Sequence, residues 1–344
     1  MIATAKYRLP GEDHYFELEQ DAPPECLHTP SELNGKEGFV IAPFRMGDEK
    51  HPLLLMHPDR TRRLPLPEHI PDLALHRCPR REEREAYRKS FAQAMEQLRD
   101  RACQKVVLAR TAEVPTGNYT PDELFLRACH IYPDSYVCLF DTPLTGCWLL
   151  ASPELLLMGD GTDWYTMSLA GTLPAVEGQL PEVEAFGPKN LHEQQLVTDF
   201  ILRTIRPLST HAETEGLGVR HAGRIAHLCT PIRFSTERGK VGIGTLLEQL
   251  HPTPAVCGEP RKVALGIIEN LTEKAERLYY AGFTGLLSRT DSHIYVSLRT
   301  MQLFPGRACI YAGGGLLCES TEQAEWDETC RKMEAVTRIL YENT

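Results

Sequence analysis

Glu325, Glu328 and Lys332 recur at spacings of three and four. On a helix that spacing puts two carboxylates and an ammonium on one face. Just before them the chain reads Ile310-Tyr311-Ala312-Gly313-Gly314-Gly315, a strand running into glycines whose bare backbone another group can approach closely. Taken alone, the spacing describes a solvated surface pair equally well, and the glycines a turn. Glu193 adds a third acid; with Glu325 and Glu328 it would suit magnesium, a hard cation that takes few carboxylates and keeps waters and substrate oxygens. By itself Glu193 also reads as a surface glutamate. Lys105 opens the apolar run Val106-Val107-Leu108-Ala109. It either snorkels to water or, buried among cations, serves as a base. Glu154 follows Pro153 and precedes four apolar residues, as a strand-edge acid or as a half-buried proton donor with a raised pKa.

Several familiar constellations are missing. His192-Glu193-Gln194-Gln195-Leu196 begins like a zinc helix but lacks the second histidine, and the glycines at 313–315 are not followed by Gly-Lys-Ser/Thr. No Gly-x-Ser-x-Gly elbow occurs. A net charge of −10 argues against a nucleic-acid surface, which needs clustered positive charge. The basic run Arg77, Arg80, Arg81, Arg84 is diluted by Glu82, Glu83 and Glu85 and reads as an exposed helix start. No apolar run approaches the roughly 20 residues of a membrane span, so no membrane partner is expected. The first residues lack the apolar core of a signal peptide. Eleven cysteines, an odd number without a Cys-x-x-Cys pair, fit reduced thiols in a cytoplasm.

These residues need elements to hold them. The 344 residues suffice for one large domain or two smaller ones. Residues 1–75 are turn-rich, with strands expected at 38–42 and 53–56. Apolar periodicity predicts helices over about 82–101, 120–130, the stretch carrying Glu193, and 243–250. Strands are expected at 104–110, 135–140, 147–150, 151–158, 164–169 and 227–232. Residues 280–287, 294–303 and 310–312 read as an antiparallel meander. Strands in neighbouring groups with helices between the groups indicate an α+β fold.

In this order the motifs become familiar: KVVLAR at 105–110, ASPELLL at 151–157, LAGT at 169–172, HEQQLV at 192–197, HPTPAVCG at 251–258, YVSLRTMQL at 295–303, YAGGG at 311–315 and EWDETCRK at 325–332. The ordered set resembles the chorismate-utilising enzymes over about residues 80–340, and within them the isochorismate synthases most. The resemblance implies two lobes of packed antiparallel sheets covered by helices, with residues 1–75 as an N-terminal strand-rich part and 76–344 as the chorismate-binding catalytic domain. It implies chorismate as substrate, magnesium as cofactor, and an isochorismate product feeding menaquinone or siderophore synthesis. By the same resemblance Lys105 is the base that activates water for attack at ring C2, and Glu154 the acid that protonates the departing 4-hydroxyl. Glu193, Glu325 and Glu328 would be magnesium ligands. Arg299, Lys332 and the backbone at Gly313, Gly314 and Gly315 would hold carboxylates, Gly171 and Thr172 a turn lining the ring, and His251 a place near the enolpyruvyl group.

Two positions depart from the family pattern: Asn190 replaces an acid three residues before Glu193, and Asp327 adds acidity near the metal helix. Anthranilate and aminodeoxychorismate synthases draw ammonia from a glutaminase partner and carry glutamine where this chain has Lys105. Lys105 and Leu169-Ala170 favour water, so no glutaminase subunit is expected. Salicylate synthases keep the lysine and expel pyruvate. An inactive chorismate-binding module would not be expected to keep Lys105, Glu154 and all three glutamates.

Overall fold

The computed structural model describes residues 2–68, 70, 84–175, 179–222, 225–272 and 275–341. In chain order the first strands are β1 (Ala3–Arg8), β2 (His14–Gln20), β3 (Glu25–Leu27), β4 (Gly38–Ala42), β5 (Leu53–Met56) and β6 (Arg60–Pro65). Helix α1 (Arg84–Arg99) leads to β7 (Lys105–Pro115), and α2 (Pro121–Ile131) to β8 (Tyr136–Thr142), β9 (Gly146–Ser152), β10 (Leu155–Gly159) and β11 (Asp163–Pro174). Helix α3 (Gly187–Ile205) precedes β12 (His211–Thr214), β13 (Gly218–Ala222) and β14 (Ile225–Ser235). Then come α4 (Ile243–Leu250), β15 (Gly258–Glu259), α5 (Arg261–Asn270), β16 (Phe283–Leu287), β17 (Ser292–Val296), β18 (Thr300–Phe304), β19 (Arg307–Leu316) and α6 (Glu322–Thr337).

The strands form two antiparallel sheets. One has nine strands in the order β15-β7-β19-β18-β9-β8-β1-β2-β6; the other runs β12-β14-β11-β10-β17-β16-β4-β5-β3, with β13 also on β14. Their inner faces share one apolar core, where Tyr136 of β8 stacks on Tyr295 of β17 with centroids 4.2 Å apart and Tyr7 of β1 lies 5.6 Å from Phe39 of β4. Helices α2 and α6 cover the outer face of the nine-stranded sheet with a second apolar layer. Local signals start and stop these helices. Thr120 caps α2, with Glu123 closing a reciprocal capping box and Pro121 at the first turn. Glu322 and Glu325 occupy the first turn of α6, where the helix dipole favours anions.

The structure redraws four sequence expectations. The first 75 residues carry more strand than their turn-rich composition suggests: β1 pairs with β8 and β4 with β16, so the N-terminal part is woven into both sheets. The expected meander is broken. Strands β16 and β17 pair in the ten-stranded sheet, the chain crosses over at residues 297–299, and β18 and β19 pair in the nine-stranded one. No glycine or proline announces this crossing; Arg299 takes it with φ +50°, a left-handed value uncommon outside glycine. The single strand expected at 151–158 is likewise cut at Pro153-Glu154, where the chain passes from β9 in one sheet to β10 in the other. Proline, lacking an N–H, cannot continue a ladder on both sides. Finally, Gly313–Gly315 are no turn but lie inside β19, opposite Ala109, Leu108 and Val107 of β7. Gly171 and Thr172 likewise form a bulge within β11.

Helix α1 is described from Arg84; Arg77, Arg80, Arg81, Glu82 and Glu83 lie outside the described residues. Among the described residues no helix is long and apolar enough to cross a membrane, and the cysteines are free thiols.

Candidate active site

The two sheet crossings lie side by side. The Val296 amide donates to the Glu154 carbonyl at 3.0 Å and the Ala151 amide to the Arg299 carbonyl at 3.3 Å. Glu154 and Arg299 are therefore delivered together at the seam between the sheets, and both line a partly enclosed cavity. Its other walls come from Leu169–Thr172 of β11, Glu193 of α3, His227 of β14, Ala255 and Val256, Tyr280, residues 311–313 and Gly315 of β19, and Lys332 of α6.

Glu154 is 3% exposed. Burial pushes its carboxyl up to about 8, against the pull of Lys105 and Lys332. At neutral pH it carries a proton to give.

Lys105 is fully buried, with Nζ 2.8 Å from Oε1 of Glu193. It does not line the cavity itself; it stands behind Gly315 and Glu193, which do. A Cβ on Gly315 would lie 2.3 Å from the Glu193 Oε1 and 2.7 Å from the Lys105 Cε. Glycine at this position leaves the lysine and glutamate room to meet across β19. Leaving either charge alone in such an interior is costly.

Two more lysine–glutamate pairs follow. Lys332 Nζ sits 2.8 Å from Oε1 of Glu328 and donates to the Gly313 carbonyl at 2.8 Å. Burial opposes the charge on Glu328, but Lys332 prevails and holds the carboxyl below its usual range. Lys189, one turn before Glu193 on α3, reaches across to Oε1 of Glu325, which also accepts from Ser320 at 2.7 Å. Burial, then Glu328, raises the Glu325 carboxyl, and its Oε2 is buried without a hydrogen-bond partner.

A polar relay shapes the Arg299 side. His227 Nδ1 lies 3.0 Å from the Gly171 carbonyl, so Nδ1 carries the hydrogen and Nε2 accepts from Arg299 at 3.3 Å. Burial, with Arg299 and Lys332 nearby, lowers the imidazole to about 3. It is neutral, as this tautomer requires. The bulge supplies the carbonyl: Gly171 has φ +67°, and the β11–β14 register shifts there.

The matched family model decides the lineage: "Chorismate binding enzyme" matches residues 59–341. The chain belongs to that family. It is 35% identical over 269 residues to the salicylate biosynthesis isochorismate synthase of Pseudomonas aeruginosa, covering 75% of this chain and 55% of that one. It is 33% identical over 252 residues to a putative isochorismate synthase MenF of Mycobacterium tuberculosis, covering 69% and 67%. The chain thus spans little more than half of the first relative's length. A crystal structure of a putative 2,3-dihydroxybenzoate-specific isochorismate synthase, DhbC from Bacillus anthracis, superposes with a TM-score of 0.84 over 98% of this chain and 96% of that one, at 23% identity. The two-sheet fold is shared.

In this chorismate binding enzyme the cavity brings together Glu154, Gly171, Thr172, Glu193, Arg299, Gly313, Gly315 and Lys332, all singled out by sequence. Five expected residues stand outside its lining: His251, Gly314, Lys105, and Glu325 and Glu328 of α6. His251 is turned away: its Nε2 lies 3.0 Å from the Phe44 carbonyl and its ring packs edge-on to Phe44 and Phe283. The alternation of β19 turns Gly314 from the cavity toward α6, where a Cβ would meet Glu325 Oε2 at 3.3 Å. Lys105 lies one layer behind the wall. The oxygens of Glu193, Glu325 and Glu328 do not converge; among the described residues only the surface trio Glu12, Asp13 and His14 does. The donor set still fits magnesium. It offers hard oxygens from α3 and α6, and Glu325 Oε2 is a buried carboxylate oxygen without a partner.

Sequence reasoning missed His227, Lys189 and Tyr280. A lone histidine in the apolar run His227-Leu228-Cys229 reads as core. Lys189 held the one available signal: four residues before Glu193, it shares that helical face.

Proposed function

We propose that this enzyme is an isochorismate synthase, which adds water at C2 of chorismate and releases the 4-hydroxyl, reversibly and with magnesium. The observation that carries the reading is Glu154. It is a buried carboxyl raised to about 8 in a cavity that also presents Arg299 and Lys332. A dianionic substrate needs those cations, and a departing hydroxide needs that proton.

Arg299, oriented by His227, and Lys332 hold the carboxylates. Lys105, in its neutral amine form and kept in place by Glu193, takes the proton from the attacking water as the O–C2 bond forms and becomes the ammonium. The ring double bonds shift, the C4–O bond breaks, and Glu154 gives its proton to the leaving oxygen. Magnesium, held by Glu193, Glu325 and Glu328, would supply positive charge to the ring carboxylate. Because Lys105 serves water, the reading needs no ammonia-supplying partner.

The test is incubation with chorismate and magnesium followed by chromatographic separation. The expected outcome is a mixture of chorismate and isochorismate with pyruvate retained, approached from either side and abolished by EDTA. Stoichiometric pyruvate with salicylate, ammonium-dependent amination, or full turnover in metal-free buffer would each replace the proposal.

A further inference from the structure

The three carboxylates expected to hold a divalent cation are each occupied by an ammonium, and the three ammonium groups differ in their freedom. Lys105 is fully buried. Lys332 is tied to both Glu328 and the Gly313 carbonyl. Lys189 alone combines a side chain 31% exposed with a partner, Glu325, that is 1% exposed. It bridges α3 to α6, the two helices that carry the proposed ligands. Both contacts on Glu325, from Lys189 and Ser320, fall on Oε1, and Oε2 stays buried and unpartnered. One oxygen of Glu325 is thus ready for a second cation while the other is held by an ammonium with a path to solvent.

We infer that Lys189 is a displaceable counter-ion. It neutralises Glu325 and joins α3 to α6 until a divalent cation arrives, then withdraws to solvent. Its lysine stem is long and flexible and its ammonium is a compact point charge, so it can leave without unfolding the helix. Two cations within a few ångströms of one carboxylate repel each other strongly in a poorly solvated site. This rests on the magnesium reading above and adds to it a competitor built into the chain.

The experiment titrates magnesium calorimetrically into wild type, Lys189→Met and Lys189→Arg, with thermal melts in EDTA and in excess magnesium. Lys189→Met removes the competitor. It should bind magnesium about ten-fold or more tightly, melt below wild type in EDTA, and gain more from added magnesium. Lys189→Arg keeps the charge and should stay within about three-fold of wild type. If Lys189 were only a helix-to-helix tie, Lys189→Met would melt lower with and without metal and bind magnesium no better; that result overturns the inference while leaving the magnesium reading intact. No heat of binding in wild type or either variant overturns both. A second measurement needs no variant: acetylation of Lys189 in wild type, mapped by mass spectrometry, should rise several-fold on adding magnesium. An unchanged or reduced rate overturns the inference.

Discussion

Glu154 and Glu328 serve one site and are opposites. Glu154 stands at the break between β9 and β10 with no ion pair among the described residues, and burial lifts its carboxyl to about 8. Glu328 stands on α6 with Lys332 at 2.8 Å and is held below its usual range although burial opposes the charge. Burial raises the carboxyl of Glu154; at Glu328 the ammonium of Lys332 outweighs burial, whereas at Glu325 burial and the neighbouring Glu328 outweigh Lys189. Both situations occur here, a lone buried carboxyl at the sheet seam and lysine-paired carboxylates on the helices. What separates them is the element each stands on. A crossover between sheets has no neighbouring turn from which a lysine could reach, whereas a helix supplies one four residues away.

The strongest way to break this contrast is to strip a paired carboxylate of its lysine. Lys105→Met leaves Glu193 in the interior without its cation. It should abolish turnover and lower stability by about 3–5 kcal/mol, the usual scale for breaking a buried pair, measured by denaturant unfolding. Removing Glu193 as well, with Glu193→Gln, should restore much of the stability and none of the activity. Near-normal turnover in Lys105→Met would show that another group activates the water.

Glu154→Gln sharpens the comparison from the other side. It keeps the shape and removes the proton, so kcat should fall about 10²-fold or more with chorismate still bound. Wild-type activity should decline as pH rises through about 8, where Glu154 loses its proton. The stability effect has a definite sign. The unfolded carboxyl releases its proton near its ordinary value of 4.5 while the folded one keeps it to about 8. Between those values the native state therefore binds the extra proton, and stability falls as pH rises. Glu154→Gln escapes that loss. Melts should show it gaining on wild type from pH 5 to 9 even as its activity stays low, and equal pH slopes would contradict the assignment.

The smallest expected effect comes from Gly315→Ala. Its methyl group would press into the Lys105–Glu193 pair, an overpacking that costs about 1–3 kcal/mol. It should cut kcat by about ten-fold, with Glu154's pH dependence unchanged. A shifted pH profile would mean that the lone acid and the paired carboxylates are not independent.

Much of this site was legible in the sequence, because residues three and four apart on a helix declare a shared face. Glu325, Glu328 and Lys332 were found that way. The ordered motifs then pointed to Lys105 and Glu154 at strand boundaries, and the structure brings the five near one another. What was not legible depends on pairing between distant strands. The run at 294–303 alternates like one strand, and nothing in it marks the change of sheet at Arg299. The glycines at 313–315 read as a turn because what each one faces, Tyr280 and Val107 at Gly313, Glu325 at Gly314 and the Lys105–Glu193 pair at Gly315, is brought there by distant stretches of the chain. The resemblance puts His251 at the cavity, yet the carbonyl of Phe44, 207 residues earlier, takes its ring nitrogen. Contacts that join unrelated stretches leave no periodicity to read.

The paired crossings at Pro153-Glu154 and Ser297–Arg299 have a mechanical consequence. The chain passes between the sheets twice at one spot, and the passages are hydrogen-bonded to each other. A carboxylate gripped by Arg299 beside Glu154 is then a rivet through both layers. When it binds, the sheets should breathe less, and amide exchange should slow together in β10 and β17 of one sheet and in β9 and β18 of the other.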